Sequence, residues 1–463
     1  MAYVKDTISE EKEGKELLGN GSNGTRSNGT GDFYKNEKSK MAEIEDKPPV
    51  DKWNMVYFIL MLHGIGTLMP WNMFITANAY FVDYKLASET NDTNTNAEVY
   101  RSYFLSFLGF TAQIPNVLLN FINLFCQCGG GGNIRKRITW SVFIVVIFFI
   151  LTIILAMVDS SEWPGAFFWI TMVSVVFINM ANGMYQNSVY GTAACLPMKY
   201  TNAVVLGSNI SGTLASLLSI ISIASAPDPR TAAIFYFIAA VIVLVVAFDT
   251  YFALPLIPFF RYYSNRAKQV DNARSDEEKT ARQPFFEIFK KCWVQDVSVF
   301  FVFFVTLTCF PAIQANIVAS DENFWLSNKY FAPVGCFLAF NAFAMLGNLV
   351  SEFIKVPGPR WVWLPVALRG LFIPFFMFCN FKPDVRGLPV LISNDYVYLL
   401  GGILMAFTSG YFSSLTMMYA PGCVEPKHQA TAGMMAAFFL ISGIFMGVLF
   451  SLPVSIFIEN VGH

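Results

Sequence analysis

Charge is scarce in this chain. Of its 463 residues only 14% are charged, 31 basic and 32 acidic, while 55% are hydrophobic. A soluble domain of ordinary composition carries about 25% charged residues, so a soluble globular class is excluded. Histidine is scarcer still, with only His63, His428 and His463. None of the three sits in an HExxH motif, and no GxSxG or GxxxxGK[ST] pattern occurs. No hydrolase centre, metal site or ATP-driven motor is therefore visible, an enzyme is not expected, and neither is a cofactor. The eight cysteines lie in apolar runs or near their ends. They form no extracellular disulfide framework, and "CQCGGGG" supplies one pair where a structural zinc site needs four ligands. Membrane-depth carboxylates are few: Asp249 and Glu352. No cleavable signal peptide is expected, because the first 50 residues are polar and rich in Gly, Asn, Lys and Glu.

Long apolar runs are what the chain has instead, with 47 phenylalanines among them. A hydrocarbon slab about 30 Å thick needs about 20 apolar residues per helix. The runs predict an all-α polytopic membrane protein whose partner is the lipid bilayer. Eleven helices are expected, at 54–81, 103–127, 138–158, 166–196, 200–225, 231–258, 296–318, 330–353, 361–380, 396–420 and 431–458. A disordered cytoplasmic tail is expected over 1–52, a first six-helix bundle over 53–258, a cytoplasmic linker loop over 259–295 and a five-helix bundle over 296–463. A 6+5 layout about a charged linker suits transporters that hold substrate at the midplane between two bundles.

Orientation follows from the basic residues, which gather in cytoplasmic loops. With the N-terminus inside, only Lys85, Arg101, Arg230, Lys329, Lys382 and Arg386 fall in outer segments, and Arg369 lies inside a span. The C-terminus is then extracellular. The sequon at Asn91 falls in the first outer loop, where glycosylation can occur. A plasma-membrane location is expected. The tail segment "EGKELL", with Glu13 ahead of Leu17 and Leu18, has the form of an acidic dileucine signal, which keeps an endosomal or lysosomal membrane as the alternative.

The spans are striped with amides. Gln113, Asn116, Asn120 and Asn123 share one face of the second helix, and Asn179, Asn182 and Gln186 share one face of the fourth. In the eighth, Phe337, Asn341, Ala344 and Asn348 align, and the stripe exits through Glu352. An amide facing lipid would leave donors and acceptors unpaired at a cost of several kcal/mol. The stripes therefore face the bundle, either as a polar cavity or as interhelical hydrogen bonds. Gly207, Ser211, Gly212 and Ala215 give the fifth helix a small-residue face for close packing. Arg369, near mid-depth, calls for a partner, with Asp249 and Glu352 as the candidates.

The first helix carries "LMPWNMFITANAYF". Pro70 removes a backbone hydrogen bond and kinks the helix. A kink of that kind is tolerated where it lines a cavity. Trp71 and Asn72 would then offer an aromatic face and an amide to a flat, polar, uncharged solute; a packing tryptophan beside a routine kink is the plainer alternative.

"GIGTLMPWNMFITANAYF" resembles the first-helix signature of the equilibrative nucleoside transporters. The likeness extends through "QIPNVLLNFIN", "YTNAVVLGSNISG", "FPAI", "YFAPVGCFLAFNAF", "SGYFSSLTMMYAP" and "TAGMMAAFFL", over nearly all of 52–458. It implies a major-facilitator-like fold and passive, bidirectional movement of purine and pyrimidine nucleosides, with nucleobases carried by some members. It also implies a substrate site of Trp71, Ile75, Gln113, Asn116, Gln186, Phe310, Phe337 and Asn341, with helix-packing roles for Gly207 and Gly212 and an inner-gate role for Arg137. The family's eighth helix reads FNxxDxxGR, and this chain reads "FNAFAMLGN". Ala344 stands for the aspartate and Asn348 for the arginine of a ribose clamp. Weak discrimination of ribose is therefore expected, with Asn348 keeping a place at the site. The segment "PKHQATAG" lacks acidic residues that usually face the inner-gate basic residue, leaving Glu425 or His428 as substitutes. The leading reading is a facilitative nucleoside carrier. The alternatives are a member that carries nucleobases or organic cations, the latter needing a carboxylate at the cavity, and a membrane receptor or scaffold that does not transport.

Overall fold

The structure, a computed structural model, describes residues 48–76, 81, 85–86, 100, 104–125, 134–160, 162–225, 229–272, 284–321, 324–326 and 330–461. Nearly all of the tail, the Asn91 sequon, the Glu13 pattern and the "CQCGGGG" segment lie outside these residues. Val50–His463 form one compact unit, and its described regular structure is helical.

The helices before residue 258 are α1 (Met55–Thr76), α2 (Phe104–Phe125), α3 (Ile134–Met157), α4 (Pro164–Ala194), α5 (Met198–Ser225) and α6 (Pro229–Ala253). After α7 (Pro258–Asn272) come α8 (Phe285–Cys309), a π-wound turn at Phe331–Leu338 leading into α9 (Ala339–Phe353), the short α10 (Trp363–Leu368) and α11 (Phe372–Met377), α12 (Asp395–Gly422) and α13 (Gln429–Asn460). Among the described residues, eight helices are long and apolar enough to cross a membrane. Two further apolar stretches, Phe107–Ile122 and Trp363–Met377, are shorter. α5 is the most polar of the long helices, with Asn202, Ser208, Asn209, Ser211 and Ser216 along it.

Three stretches differ from the sequence expectation. The region read as a loop, 259–295, is largely helical where described. Pro255 and Pro258 end α6 and restart the chain as α7, with Pro258 in the first-turn position where its missing N–H costs nothing. α8 starts at Phe285, well before 296, because Phe285, Ile288, Phe289 and Cys292 keep an apolar stripe at helical spacing. The ninth expected helix is broken: Arg369–Leu371 form a 3-10 turn between α10 and α11, at Gly370 and just ahead of Pro374.

Two helix pairs pack so closely that only glycine fits. A Cβ on Gly207 of α5 would lie 1.9 Å from the Met61 carbonyl oxygen of α1, and one on Gly64 of α1 would lie 2.1 Å from that of Val204. A Cβ on Gly410 of α12 would lie 1.8 Å from the Ala344 oxygen of α9, and one on Gly347 of α9 would lie 2.1 Å from that of Phe407. Each pair is locked by reciprocal glycines, which let two backbones meet. α1 is also pinned at its start. Asp51, buried, accepts the backbone N–H of Val56 and Tyr57 at 3.2 and 3.3 Å and the Tyr200 hydroxyl at 3.0 Å.

Contacts between the early helices (α1–α6) and the late ones (α8–α13) run mainly through α2, α4, α5, α9, α12 and α13. At one end of the bundle, the starts of α1, α5 and α13 meet the ends of α4, α9 and α12. Lys199, Lys291, Lys355 and Lys427 lie there, and we call it the basic end. It is sealed. A Cβ on Gly433 would lie 2.4 Å from the Ala194 side chain, and Asn187 donates to the Met434 carbonyl at 3.0 Å. The Tyr57 hydroxyl donates to Glu352 at 3.0 Å.

Candidate functional site

A cavity lies where α1, α5, the end of α8 and the π-wound turn converge. Trp71, Asn72, Ile75, Gly212, Ala215, Ser216, Leu307, Phe310, Pro311, Phe337 and Asn341 line it. Its volume is about 40 Å³, on a measure by which one water needs about 10–15 Å³. It has room for a few waters as it stands, and a larger solute enters only when its walls part.

The polar groups are few and fixed. Asn341 donates from Nδ2 to the Phe337 carbonyl at 2.9 Å and to the Ser216 hydroxyl at 3.2 Å, joining α9 to α5. Gly212 makes room for it, since a Cβ there would lie 1.9 Å from Asn341 Oδ1. Asn72 donates to the Ser211 hydroxyl at 3.1 Å, which orients its amide one residue after the half-buried Trp71. The aromatic wall is ordered too. Phe310 stacks on Phe340 with ring centroids 3.9 Å apart and meets Phe337 edge-on at 5.6 Å. Pro70 is buried inside α1, whose helix continues to Thr76. None of the described lining residues is acidic, so the carboxylate that an organic-cation site needs is missing from this wall.

Among the residues singled out in the sequence, Trp71, Ile75, Phe310, Phe337 and Asn341 meet at the cavity, and so do Asn72 and Gly212. Gln113, Asn116 and Gln186 are buried away from its lining. Asn116 faces α4, with Oδ1 2.8 Å from where a Gly183 Cβ would sit. Its stripe neighbour Asn120 donates to the Gly183 carbonyl at 2.9 Å and accepts from Asn187 at 2.7 Å. The second-helix stripe is thus interhelical bonding at Asn120, while Asn116 packs on α4 with its Oδ1 buried and unpartnered among the described residues. Gln113 and Gln186 make no hydrogen bond among the described residues. Gly207 sits in the α1–α5 contact, and Arg137 is half-buried near the start of α3.

Three expectations are corrected. Asn348 does not line the cavity. It is fully buried and donates to Asn202 of α5 at 3.1 Å and to Ser414 of α12. Ala344 is buried in the tight α9–α12 contact. The two residues standing in for the clamp are thus occupied in packing. Arg369 pairs with neither Asp249 nor Glu352. It donates to the Met405 carbonyl at 3.0 Å, to the Thr306 hydroxyl at 2.8 Å and to Thr408, while Glu352 accepts from Tyr57 and Asp249 is exposed. Neutral oxygens can solvate a guanidinium fork without a carboxylate. Finally, the count of membrane-depth carboxylates missed Asp296, which is fully buried in α8 and accepts from the Cys292 thiol at 3.1 Å. The helix was expected to begin at 296, which hid it at a boundary. Ser216 was missed as well, though it follows Gly212 by one helical turn in "SGTLAS". Near the basic end, Glu425 pairs with Lys291 at 3.4 Å and Lys427 at 3.1 Å, which hold its carboxyl below the ordinary carboxylate range.

A chain whose described regular structure is helical, with eight membrane-length apolar helices among the described residues and a small cavity between them, has the architecture of a multi-pass transporter. Solved structures agree on the fold. The chain covers 88% of itself and 94% of the major facilitator superfamily proton:xylose symporter XylE, with a TM-score of 0.56 at 11% identity. It matches the human organic anion transporter MFSD10 with a TM-score of 0.53 at 12% identity, covering 89% and 95%. The family described as Nucleoside transporter matches residues 172–456. The chain is 32% identical to human equilibrative nucleoside transporter 2 over 452 residues and 31% identical to the rat protein of that name over 449. In both cases 87% of this chain and 97% of the relative are covered. The chain belongs to the equilibrative nucleoside transporter family.

Proposed function

We propose that this protein carries nucleosides across a membrane down their concentration gradient, in either direction, without coupling to an ion. The observation that carries the reading is the cavity wall. Trp71, Phe310 and Phe337 offer aromatic faces for a base, Asn72, Asn341 and Ser216 offer neutral hydrogen-bonding groups, and no described lining residue is acidic. Flat rings stack on aromatic side chains, and amides both give and accept hydrogen bonds along a base edge. The names of the relatives support the substrate class and the equilibrative mode. Trp71, Ile75, Phe310, Phe337 and Asn341 then touch substrate, and Gln113, Asn116 and Gln186 become accessible when the cavity widens. Ala344 and Asn348, held in packing, leave the ribose without a charged clamp, which supports nucleobases as additional substrates.

In this reading the spans number eleven. The stretches 53–258 and 296–463 act as two bundles, joined by the cytoplasmic segment 259–295, with 1–52 as a tail. The basic end faces the cytoplasm, following the bias of Lys and Arg. The N-terminus is then cytoplasmic and the C-terminus extracellular, and Asn91 is open to glycosylation at the plasma membrane. Uptake of radiolabelled uridine and adenine into vesicles holding the purified protein tests the reading. Uridine should equilibrate without accumulating. Failure to move any nucleoside would overturn the proposal, and concentrative uptake driven by a proton or sodium gradient would overturn its uncoupled mode.

A further inference from the structure

We propose that Asn202 and Asn348, with Ser351, form a latch that holds the basic end of the transporter closed and parts at each transport cycle. The inference rests on the transport reading only in that the early and late helices must move apart. Asn202 lies near the start of α5, Asn348 in α9, and both are fully buried. Asn348 Nδ2 donates to Asn202 Oδ1 at 3.1 Å, and the Ser351 hydroxyl donates to the same oxygen at 3.4 Å. These bonds cross from the early helices to the late ones. Asn341, two turns earlier on α9, makes its own bond to α5 at the cavity wall. The latch therefore lies between the cavity and the basic end, about 10 Å along α9 from Asn341 at 1.5 Å per residue. One turn further, Tyr57 and Glu352 add a second crossing bond.

What makes the pair a latch is its incompleteness. Two facing amides can exchange two hydrogen bonds. Here Asn202 Nδ2 and Asn348 Oδ1 are both buried and have no partner among the described residues. A buried unpaired donor and acceptor destabilise the state that contains them. When the basic end opens, water reaches both atoms and satisfies them. The closed state is held by the bonds that are made and biased toward opening by the two that are not, so the two states are near balance. A fully bonded amide pair, or a bare apolar contact, would favour one state more strongly. The surrounding seal is built from small and neutral contacts of the same reversible kind, Gly433 against Ala194 and Asn187 on the Met434 carbonyl.

The test uses the full-length protein in lipid vesicles and needs no transport. Cys195, half-buried beside Ala194 at the basic end, reports the opening of α4 from α13. Its alkylation by a water-soluble maleimide is followed by peptide mass spectrometry. Asn348→Ala and Asn202→Ala should each speed Cys195 labelling by about 2- to 13-fold, the worth of one neutral hydrogen bond, because rate follows the open fraction. The double variant should label no faster than the faster single, since the bond is lost once. Ser413→Ala, which removes a bond inside α12 alone, should leave the rate unchanged. Ser351→Ala, which removes the longer crossing bond, should raise it less, and it decides the matter if the asparagine variants do not fold. Unchanged labelling in these crossing variants would overturn the latch. So would an equal rise in Ser413→Ala, or an additive double variant. If the wild type moves no nucleoside, the transport reading fails while this comparison still stands.

Discussion

Asn341 and Asn348 are the same residue type, seven positions apart on one helix, and sequence periodicity puts them on one face. The structure treats them differently. Asn341 borders a cavity, half-buried, with its Oδ1 lodged against the bare backbone of Gly212. Asn348 is sealed among α5, α9 and α12. The difference comes from what faces each one. Opposite Asn341, three small residues within one turn of α5, Gly212, Ala215 and Ser216, leave space. Opposite Asn348, Asn202 and Ser414 fill it. A polar stripe therefore says that a face points inward, and the neighbouring helices decide whether it meets water, substrate or another amide.

Adding one methyl group at a glycine on either side of this boundary should separate the two regions most sharply. Gly410→Ala drives a Cβ into the Ala344 carbonyl of α9, a rigid backbone atom 1.8 Å away. Overpacking of that kind costs about 1–3 kcal/mol. The thermal unfolding midpoint of the purified protein should fall by several degrees, and Gly207→Ala against Met61 should behave alike. At Gly212 the nearest atom is the end of the Asn341 side chain, which can rotate away. Gly212→Ala should keep its unfolding midpoint and lose nucleoside affinity instead.

Next in size are losses of single cavity amides. Asn341→Ala removes the Oδ1 acceptor that the wall offers to substrate, so apparent affinity for uridine should weaken about 2- to 13-fold. Gln186→Ala should weaken affinity over the same range. Gln186 is buried outside the contracted cavity and makes no hydrogen bond among the described residues, which leaves its amide free to meet substrate as the walls part. Competition curves in uptake assays measure both.

Much of the fold is legible in the sequence, because a span needs only length and apolarity, and the eight membrane-length helices among the described residues fall on expected apolar runs. Close packing was legible where glycines recur at "LGSNISG". What sequence hid was partnership. Nothing in the pattern around Arg369 says that Thr306, Thr408 and a carbonyl would receive it, since those residues come from two other helices. Asp296 was lost to a misplaced boundary, because a run of phenylalanines carried α8 back to Phe285. The family likeness placed Asn348 at the substrate, and Ser414 and Asn202, distant in sequence, draw it elsewhere.

The smallest expected effect concerns the sugar. A charged clamp would read ribose hydroxyls with bonds roughly twice as strong as neutral ones. In this chain both clamp positions are turned to packing, with Ala344 under Gly410 and Asn348 on Asn202. The remaining wall amides are neutral, and one of them, Asn341, already spends its Nδ2 on Ser216 and Phe337. Losing the 2′-hydroxyl should then cost at most one neutral bond, shared with water. Deoxyuridine should compete with labelled uridine within about threefold of uridine itself, the lower part of the range for a neutral hydrogen bond, and uracil should compete measurably. Ala344→Asp with Asn348→Arg should not sharpen this selectivity. It places charges in the α9–α12 contact and across the latch, and should speed Cys195 labelling instead. Strong rejection of deoxyuridine by the unmodified protein would mean that α9 turns Asn348 toward the cavity with substrate bound, and the contrast between the two asparagines would then describe one conformation and not the site.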